Sequence, residues 1–313
     1  MADVEAAVAS GTSIDAATSL GAVSLTVSDL GRARAFYEEV LGLVPSSSAV
    51  DGGPLALTDA GGGAALVVLH EDRDAAPFDP RATGLFHLAL LVPTRVELAR
   101  SLRRVADARW PLSGASDHLV SEALYLRDPD GNGIEIYRDR PRAQWSFDDR
   151  GAIQMDTLPL DISDLLRELD GDGVPARPDL ASAVAAGSRI GHVHLQVSEL
   201  DAAERFYSGV LGFDVAVDTY PGALFVSAGG YHHHIGLNTW QTLGAPRPAP
   251  GSVGLRSFEV LLPDARALTE VLDRVDASGI KVAGVADDPA EPGSLAAMLL
   301  HDPFGIAVVL RCA

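Results

Sequence analysis

GAVSLTVSDLGRARAFYEEVLGL (21–43) and GHVHLQVSELDAAERFYSGVLGF (191–213) align without a gap. Val23, Leu25, Val27, Ser28, Leu30, Phe36, Tyr37, Val40, Leu41 and Gly42 recur as Val193, Leu195, Val197, Ser198, Leu200, Phe206, Tyr207, Val210, Leu211 and Gly212. A match of this kind at a fixed offset marks an internal duplication. Apolar alternation makes the first part of each copy a strand, and a helical pattern follows it. Ser28 or Ser198 is the expected N-cap. Gly42 or Gly212 stands where a helix C-terminus takes a left-handed residue.

A second pair repeats at the same offset. LFHLALLVPTRVELARSLRRV (85–105) matches LRSFEVLLPDARALTEVLDRV (255–275), again a strand running into a helix, which opens near Pro93-Thr94 or Pro263-Asp264. Short strands close the units within 64–70, 122–137, 232–240 and 295–310. The chain therefore reads as four strand–helix–strand modules starting near 21, 86, 191 and 256, an α+β architecture. The expected organisation is a flexible tail (1–20), an N-terminal half of two modules (21–137), a connector (138–189) and a C-terminal half of two modules (190–313). The connector is rich in Pro, Gly and Asp and carries one helical run at 161–169.

Composition narrows the function. At 313 residues the chain can bury a large core, and 47% hydrophobic with 21% charged residues is the balance of a globular protein. A formal charge of −19 argues against nucleic acid and anionic membrane as partners, since phosphate recognition needs clustered Lys and Arg. One cysteine, Cys312, leaves no internal disulfide and fits a reducing compartment, so a cytoplasmic location is expected. The first twenty residues lack the basic and apolar regions of a secretory signal. No apolar run reaches the length of a membrane span.

The chemistry concentrates in SDHLVSEALYLRDPDGNGIE (116–135). His118, Tyr125 and Glu135 are read onto two strands around the tight turn Asp128-Pro129-Asp130-Gly131-Asn132-Gly133. The turn fixes the register, so Tyr125 and Glu135 face each other across a hairpin. A buried carboxylate beside a phenol and an imidazole is costly unless it binds something, most often a metal.

The spacing His118, Leu124-Tyr125, Asp128-Pro129, Gly131, Glu135 resembles the signature of type I extradiol ring-cleaving dioxygenases, catechol 2,3-dioxygenase-like members of the vicinal-oxygen-chelate (glyoxalase/bleomycin-resistance/dioxygenase) superfamily. Ser116 departs from that pattern at a loop position. The resemblance implies four βαβββ modules whose sheets form two cupped, barrel-like halves. It also implies a metal inside a cup, held by the first strand of each paired module and the last strand of one.

Strand periodicity bears on the same residues. In His192-Val193-His194-Leu195-Gln196-Val197 one face is apolar and the other carries His192, His194 and Gln196. His87 and Glu135 likewise point away from their apolar neighbours. The equivalent ligand positions are Ala22, His87, His192 and Ser257 on first strands, and Glu135 and Val309 on last strands. Pairing modules in chain order leaves both cups incomplete. Pairing the second with the third, and the first with the fourth, puts His87, His192 and Glu135 in one cup and Ala22, Ser257 and Val309 in the other. That inner/outer pairing is the expected one.

Two histidines and one carboxylate suit Fe(II) in oxygenases, with Mn, Zn or Ni left open. The resemblance then implies an oxidoreductase that incorporates both atoms of O2 into a small aromatic diol, giving a muconic semialdehyde-type product in aromatic hydrocarbon catabolism. It implies Tyr125 and His118 as hydrogen-bonding partners of substrate oxygens and His233 as the acid/base. Side-chain alternation along His232-His233-His234 favours His234 instead, and His194 is read as a substrate-side neighbour of the metal. Trp145, Trp240 and Phe86 are read as packing residues, with Trp240 also suited to a cavity mouth. His70 and His301 are read as surface or strand-end histidines. The resemblance also implies that the chain can self-associate as a homo-oligomer. The rival readings are a glyoxalase-like lyase or isomerase using another divalent metal, and a metal-free small-molecule-binding resistance protein.

Overall fold

The structure is a computed structural model and describes residues 13–46, 53–149, 151–170, 183–284 and 297–313. The first module supplies strands β1 (Ser19–Val27), β2 (Val44–Pro45), β3 (Leu55–Thr58) and β4 (Val67–Glu71) with helix α1 (Leu30–Ala35). The second supplies β5 (Gly84–Leu91), β6 (Leu112–Asp117), β7 (Ser121–Arg127) and β8 (Gly133–Asp139) with α2 (Arg95–Asp107). The connector adds β9 (Leu158–Pro159) and α3 (Ile162–Arg167). The third module gives β10 (Arg189–Gln196), β11 (Asp214–Val217), β12 (Ala223–Ser227) and β13 (Ile235–Asn238) with α4 (Leu200–Glu204). The fourth gives β14 (Gly254–Leu262), β15 (Ala283–Gly284), β16 (Met298–His301) and β17 (Ala307–Cys312) with α5 (Ala265–Ala277).

These strands make two curled mixed sheets. One runs β11-β12-β13-β10-β5-β8-β7-β6-β9, and the other β15-β16-β17-β14-β1-β4-β3-β2. Strands of the second and third modules therefore share a sheet, joined by antiparallel β5 and β10. Strands of the first and fourth share the other, joined by β1 and β14. The alternation seen in the sequence decides what each face does. Leu88, Leu90, Ile134, Ile136, Val193 and Leu195 sit in the main core beneath the helices. The positions that alternate with them turn to the concave face.

The helices tie together modules that the sheets separate. Arg104 of α2 donates to the Leu41 carbonyl at 3.0 Å, and Arg274 of α5 to the Leu211 carbonyl at 2.8 Å. Each guanidinium thus satisfies a carbonyl that a helix end leaves open. Tyr37 donates to Asp128 at 3.2 Å and Tyr207 to Asp302 at 2.9 Å, so each Asp-Pro turn is anchored by the neighbouring module's helix. In both copies the helix loosens into a π turn at these tyrosines, over Phe36–Val40 and Arg205–Val210. Gly42 and Gly212 follow with φ of 78° and 89°, the left-handed residues expected there.

Other local expectations change. The first helix is capped by Asp29, whose side chain accepts from the Arg32 N–H, and not by Ser28. Ser28 instead donates through its N–H and hydroxyl to Asp130. In the third module Glu199 holds the N-cap position. Of the first twenty residues, 1–12 lie outside the described residues. Ile14 is buried and its N–H donates to the Gly212 carbonyl at 2.7 Å, and β1 begins at Ser19. The connector is fastened over α2, where Arg95 donates to Glu122, Asp164 and Glu168.

Candidate metal centre

The hairpin β7–β8 has the register its turn specifies, with Tyr125 opposite Glu135. Asp128 makes the turn rigid, accepting from the N–H groups of Asp130 and Asn132. On the other side of Glu135 lies β5, where the opposite residue is Ala89. Ala89 in turn faces His192 across the β5–β10 pair, and His87 stands two residues earlier on the same face. Three strands thus converge over one small side chain.

His87, Glu135 and His192 are all buried, and their ligand atoms lie within 4.8 Å of one another. Glu135 Oε2 is 2.9 Å from His87 Nε2 and 3.0 Å from His192 Nε2. The His87 contact lacks the angle of a hydrogen bond, so His87 Nε2 is a buried nitrogen without a hydrogen-bond partner. An unsatisfied imidazole nitrogen aimed at a buried carboxylate is costly in a dry site. A divalent cation satisfies it, and two imidazoles with one carboxylate fit Fe(II), Mn or Zn. The residues present therefore fit a metal.

Electrostatics follow from burial. Desolvation pushes the Glu135 carboxyl up, but His192 and His87 beside it hold it well below the usual carboxylate range. Burial pushes His192 down to about 4, against the opposing pull of Glu135. His194 and His233 are also held well below the ordinary imidazole range, first by burial and then by neighbouring histidines. Burial, with the nearby Glu135 charge, raises the Tyr125 phenol.

A cavity of about 370 Å³ opens above the trio. His118, Tyr125, His194 and His233 line it together with His87, Glu135 and His192. His118 lies just beyond β6 and not on the hairpin strands, because the chain turns at Leu119, where φ is 69°. Its Nδ1 donates to the Asp156 carbonyl at 2.7 Å. A carbonyl only accepts, so in the neutral ring Nε2 is the acceptor, and the Tyr125 hydroxyl donates to it at 2.7 Å. His194 Nε2 is another buried nitrogen without a partner.

The histidine run resolves differently from strand alternation, because β13 begins only at Ile235. His233 lines the cavity, whereas His234 Nδ1 accepts from the Ala228 N–H at 3.1 Å. Phe86, read as a packing residue, and Trp240, read as packing or as lining a mouth, line the cavity beside Tyr220 and Phe225. Trp145 does pack, tilted over His232 with ring centres 5.5 Å apart. His70 is half-buried near the end of β4, and His301 is exposed at the end of β16. Sequence reasoning missed Met155, Asp156 and Thr157, which the connector lays across the cavity. That segment has no periodicity to read.

Paired cupped sheets with a buried trio of this kind define a class of module-built proteins. The sequence profile of the Glyoxalase/Bleomycin resistance protein/Dioxygenase superfamily matches residues 19–136 and 189–310, and the chain belongs to that superfamily. Over 274 residues it is 42% identical to a catechol-2,3-dioxygenase of Bacillus subtilis (strain 168), covering 87% of this chain and 92% of that relative. Among solved structures, a candidate dioxygenase from Bacillus subtilis subsp. subtilis str. 168 superposes with a TM-score of 0.62 at 14% identity, covering 97% of this chain and 86% of that one. Glyoxalase I from Zea mays gives 0.54 at 16% identity, over 95% and 92%. At those identities the two structures speak for the fold alone. Among the described residues, no helix is long and apolar enough to cross a membrane.

Proposed function

We propose that this chain is a non-haem Fe(II) extradiol dioxygenase that opens a catechol-type ring with O2 to a muconic semialdehyde-type product. The observation that carries the reading is the His87–Glu135–His192 trio at the base of a cavity walled by Phe86, Tyr220, Phe225 and Trp240. The identity to a catechol-2,3-dioxygenase over most of both chains supports it.

His87, Glu135 and His192 would hold the iron through two imidazole nitrogens and one carboxylate oxygen. When bound, ferrous iron supplies Lewis acidity toward a catechol hydroxyl and a meeting point for diol and dioxygen. The aromatic wall offers faces and edges against which a planar ring packs. His233, neutral through burial, takes the proton of a substrate hydroxyl and later returns it. Tyr125 and His118, already joined at 2.7 Å, stand ready to hydrogen-bond a substrate oxygen as negative charge grows on it.

The test begins with anaerobic purification and measurement of bound metal. Catechol and air are then added, and the yellow ring-fission product is followed by absorbance. Iron with yellow colour supports the proposal. Another divalent metal without colour points to lyase or isomerase chemistry, and a chain that retains no metal points to a binding protein.

A further inference from the structure

Behind the cavity wall a line of hydrogen-bonded side chains runs from His233 through His232 and Asp139 to Tyr231 and Tyr137. His233 lines the cavity, and its Nδ1 lies 2.7 Å from His232 Nδ1. His232 Nε2 lies 2.9 Å from Asp139 Oδ1. The Tyr231 hydroxyl donates to the same carboxylate at 3.0 Å and lies 2.8 Å from the Tyr137 hydroxyl. His232 has 0% exposure, so these partners, and not bulk water, set where its protons sit.

The donor and acceptor roles follow in order. A carboxylate only accepts, so His232 Nε2 carries a proton. In the neutral ring His232 Nδ1 is then an acceptor. The group facing it is His233 Nδ1, which must donate. His233 is thereby protonated at Nδ1, and its lone pair rests on Nε2, the nitrogen left for the cavity.

We infer that Asp139 and His232 are positioning residues that lock His233 in the Nδ1–H form, so that Nε2 meets the substrate as a proton acceptor. The substrate's identity here rests on the dioxygenase reading; the tautomer does not. In the step served, the substrate O–H bond breaks, its electron pair stays on oxygen, and the proton moves to His233 Nε2. The imidazolium so formed donates through Nδ1 to His232, whose other nitrogen is held by the Asp139 carboxylate. Asp139 thus acts through two rings and touches no reacting atom.

The internal duplication supplies a control. Val193 pairs with Ile235 as Val23 pairs with Val67, so His232 and His233 correspond to Ala64 and Ala65. Leu88 pairs with Ile134 as Phe258 pairs with Val308, so Asp139 corresponds to Ala313. The cup that lacks the metal trio lacks the whole line as well.

Long-range 1H–15N spectra of the full chain labelled in histidine, taken at about pH 8 where an ordinary imidazole is neutral, test the tautomers directly. His232 protonated at Nε2 and His233 at Nδ1 is the expected result. His233 protonated at Nε2, or His232 protonated at both nitrogens, overturns the inference. In the iron-loaded enzyme, Asp139→Ala should lower kcat by at least about tenfold while KM and metal content stay within about twofold. A kcat within about twofold of wild type also overturns it. Should Asp139→Ala not fold, the wild-type tautomers still decide. A wild-type chain with the expected tautomers that cleaves no catechol sinks the dioxygenase reading and leaves this inference standing.

Discussion

Glu135 holds the centre together and is the residue whose loss should be most selective. Its Oε2 is the common neighbour of both histidine nitrogens, and it is buried where a lone carboxylate would be costly. Glu135→Ala should cut metal retention by at least about tenfold, because two neutral imidazoles remain as ligands. Elemental analysis of the purified variant, with circular dichroism to show an intact fold, checks this; full metal content with full activity would mean the ligand is elsewhere. Tyr125→Phe removes only a hydroxyl that donates to His118. Metal content should be unchanged and kcat lower by about tenfold to a thousandfold, the range for a lost group at a developing charge. Unaltered kcat would place the tyrosine outside the chemistry. Both residues were legible in the sequence because a six-residue Asp-Pro turn fixes which strand positions face each other. His232 was not, because 231–234 lies outside any strand and alternation says nothing of it, and Asp139 was not, because it ends β8 two residues past the strand read from the sequence.

At the scale of elements, the site depends on a residue with no chemistry of its own. Ala89 stands between Glu135 on β8 and His192 on β10, and it is fully buried with Leu91, Ala123 and Tyr137 on the concave floor. A methyl group there lets the two larger side chains lean toward one point. Ala89→Leu would place a branched side chain between them, and overpacking of this kind costs about 1–3 kcal/mol. The expected outcome is a folded chain with a lower unfolding midpoint and little bound metal, measured by urea titration and elemental analysis. A variant that keeps wild-type metal would show that the floor yields. Strand periodicity made this floor readable, since Leu88 and Leu90 face the helices and leave 87, 89 and 91 to the cup. The roof was unreadable: Asp156 reaches His118 through a backbone carbonyl, and any residue type supplies one.

Over the whole molecule, duplication produced two cups and filled them differently. The position of Ala89 is held in the second cup by Glu259, whose carboxylate accepts from the Ala22 N–H at 3.0 Å and from Arg311 at 3.0 Å. Gly21 leaves it that room, because a Cβ there would lie 2.4 Å from Glu259 Oε2. A carboxylate side chain thus lies over the second cup's floor, where the first has only the methyl group of Ala89. The first cup instead concentrates buried imidazoles, which has a consequence for the metal-free chain. His192 and His234 are pushed down to about 4, and His194 and His233 well below the ordinary 6.5, in each case first by burial. Their folded values lie below the unfolded ones, so between about pH 6.5 and 4 the unfolded chain binds more protons. Their contribution is complete above that window and is lost as pH falls through it. For His234 a shift from 6.5 to about 4 corresponds to about 3 kcal/mol. Asp302 works the other way: burial raises it to about 6, so the folded state takes up its proton first and gains stability as pH falls. Asp128 is raised by burial in the same sense, so two carboxyls stand against the four histidines. The urea midpoint of metal-stripped protein should therefore fall between pH 7 and pH 5. The metal-loaded chain should hold its midpoint to lower pH, because a coordinated nitrogen takes no proton until the metal leaves. A midpoint that is flat or rising over that interval in the stripped protein would show that the imidazoles are hydrated, and that the cup is not the dry chamber its geometry describes.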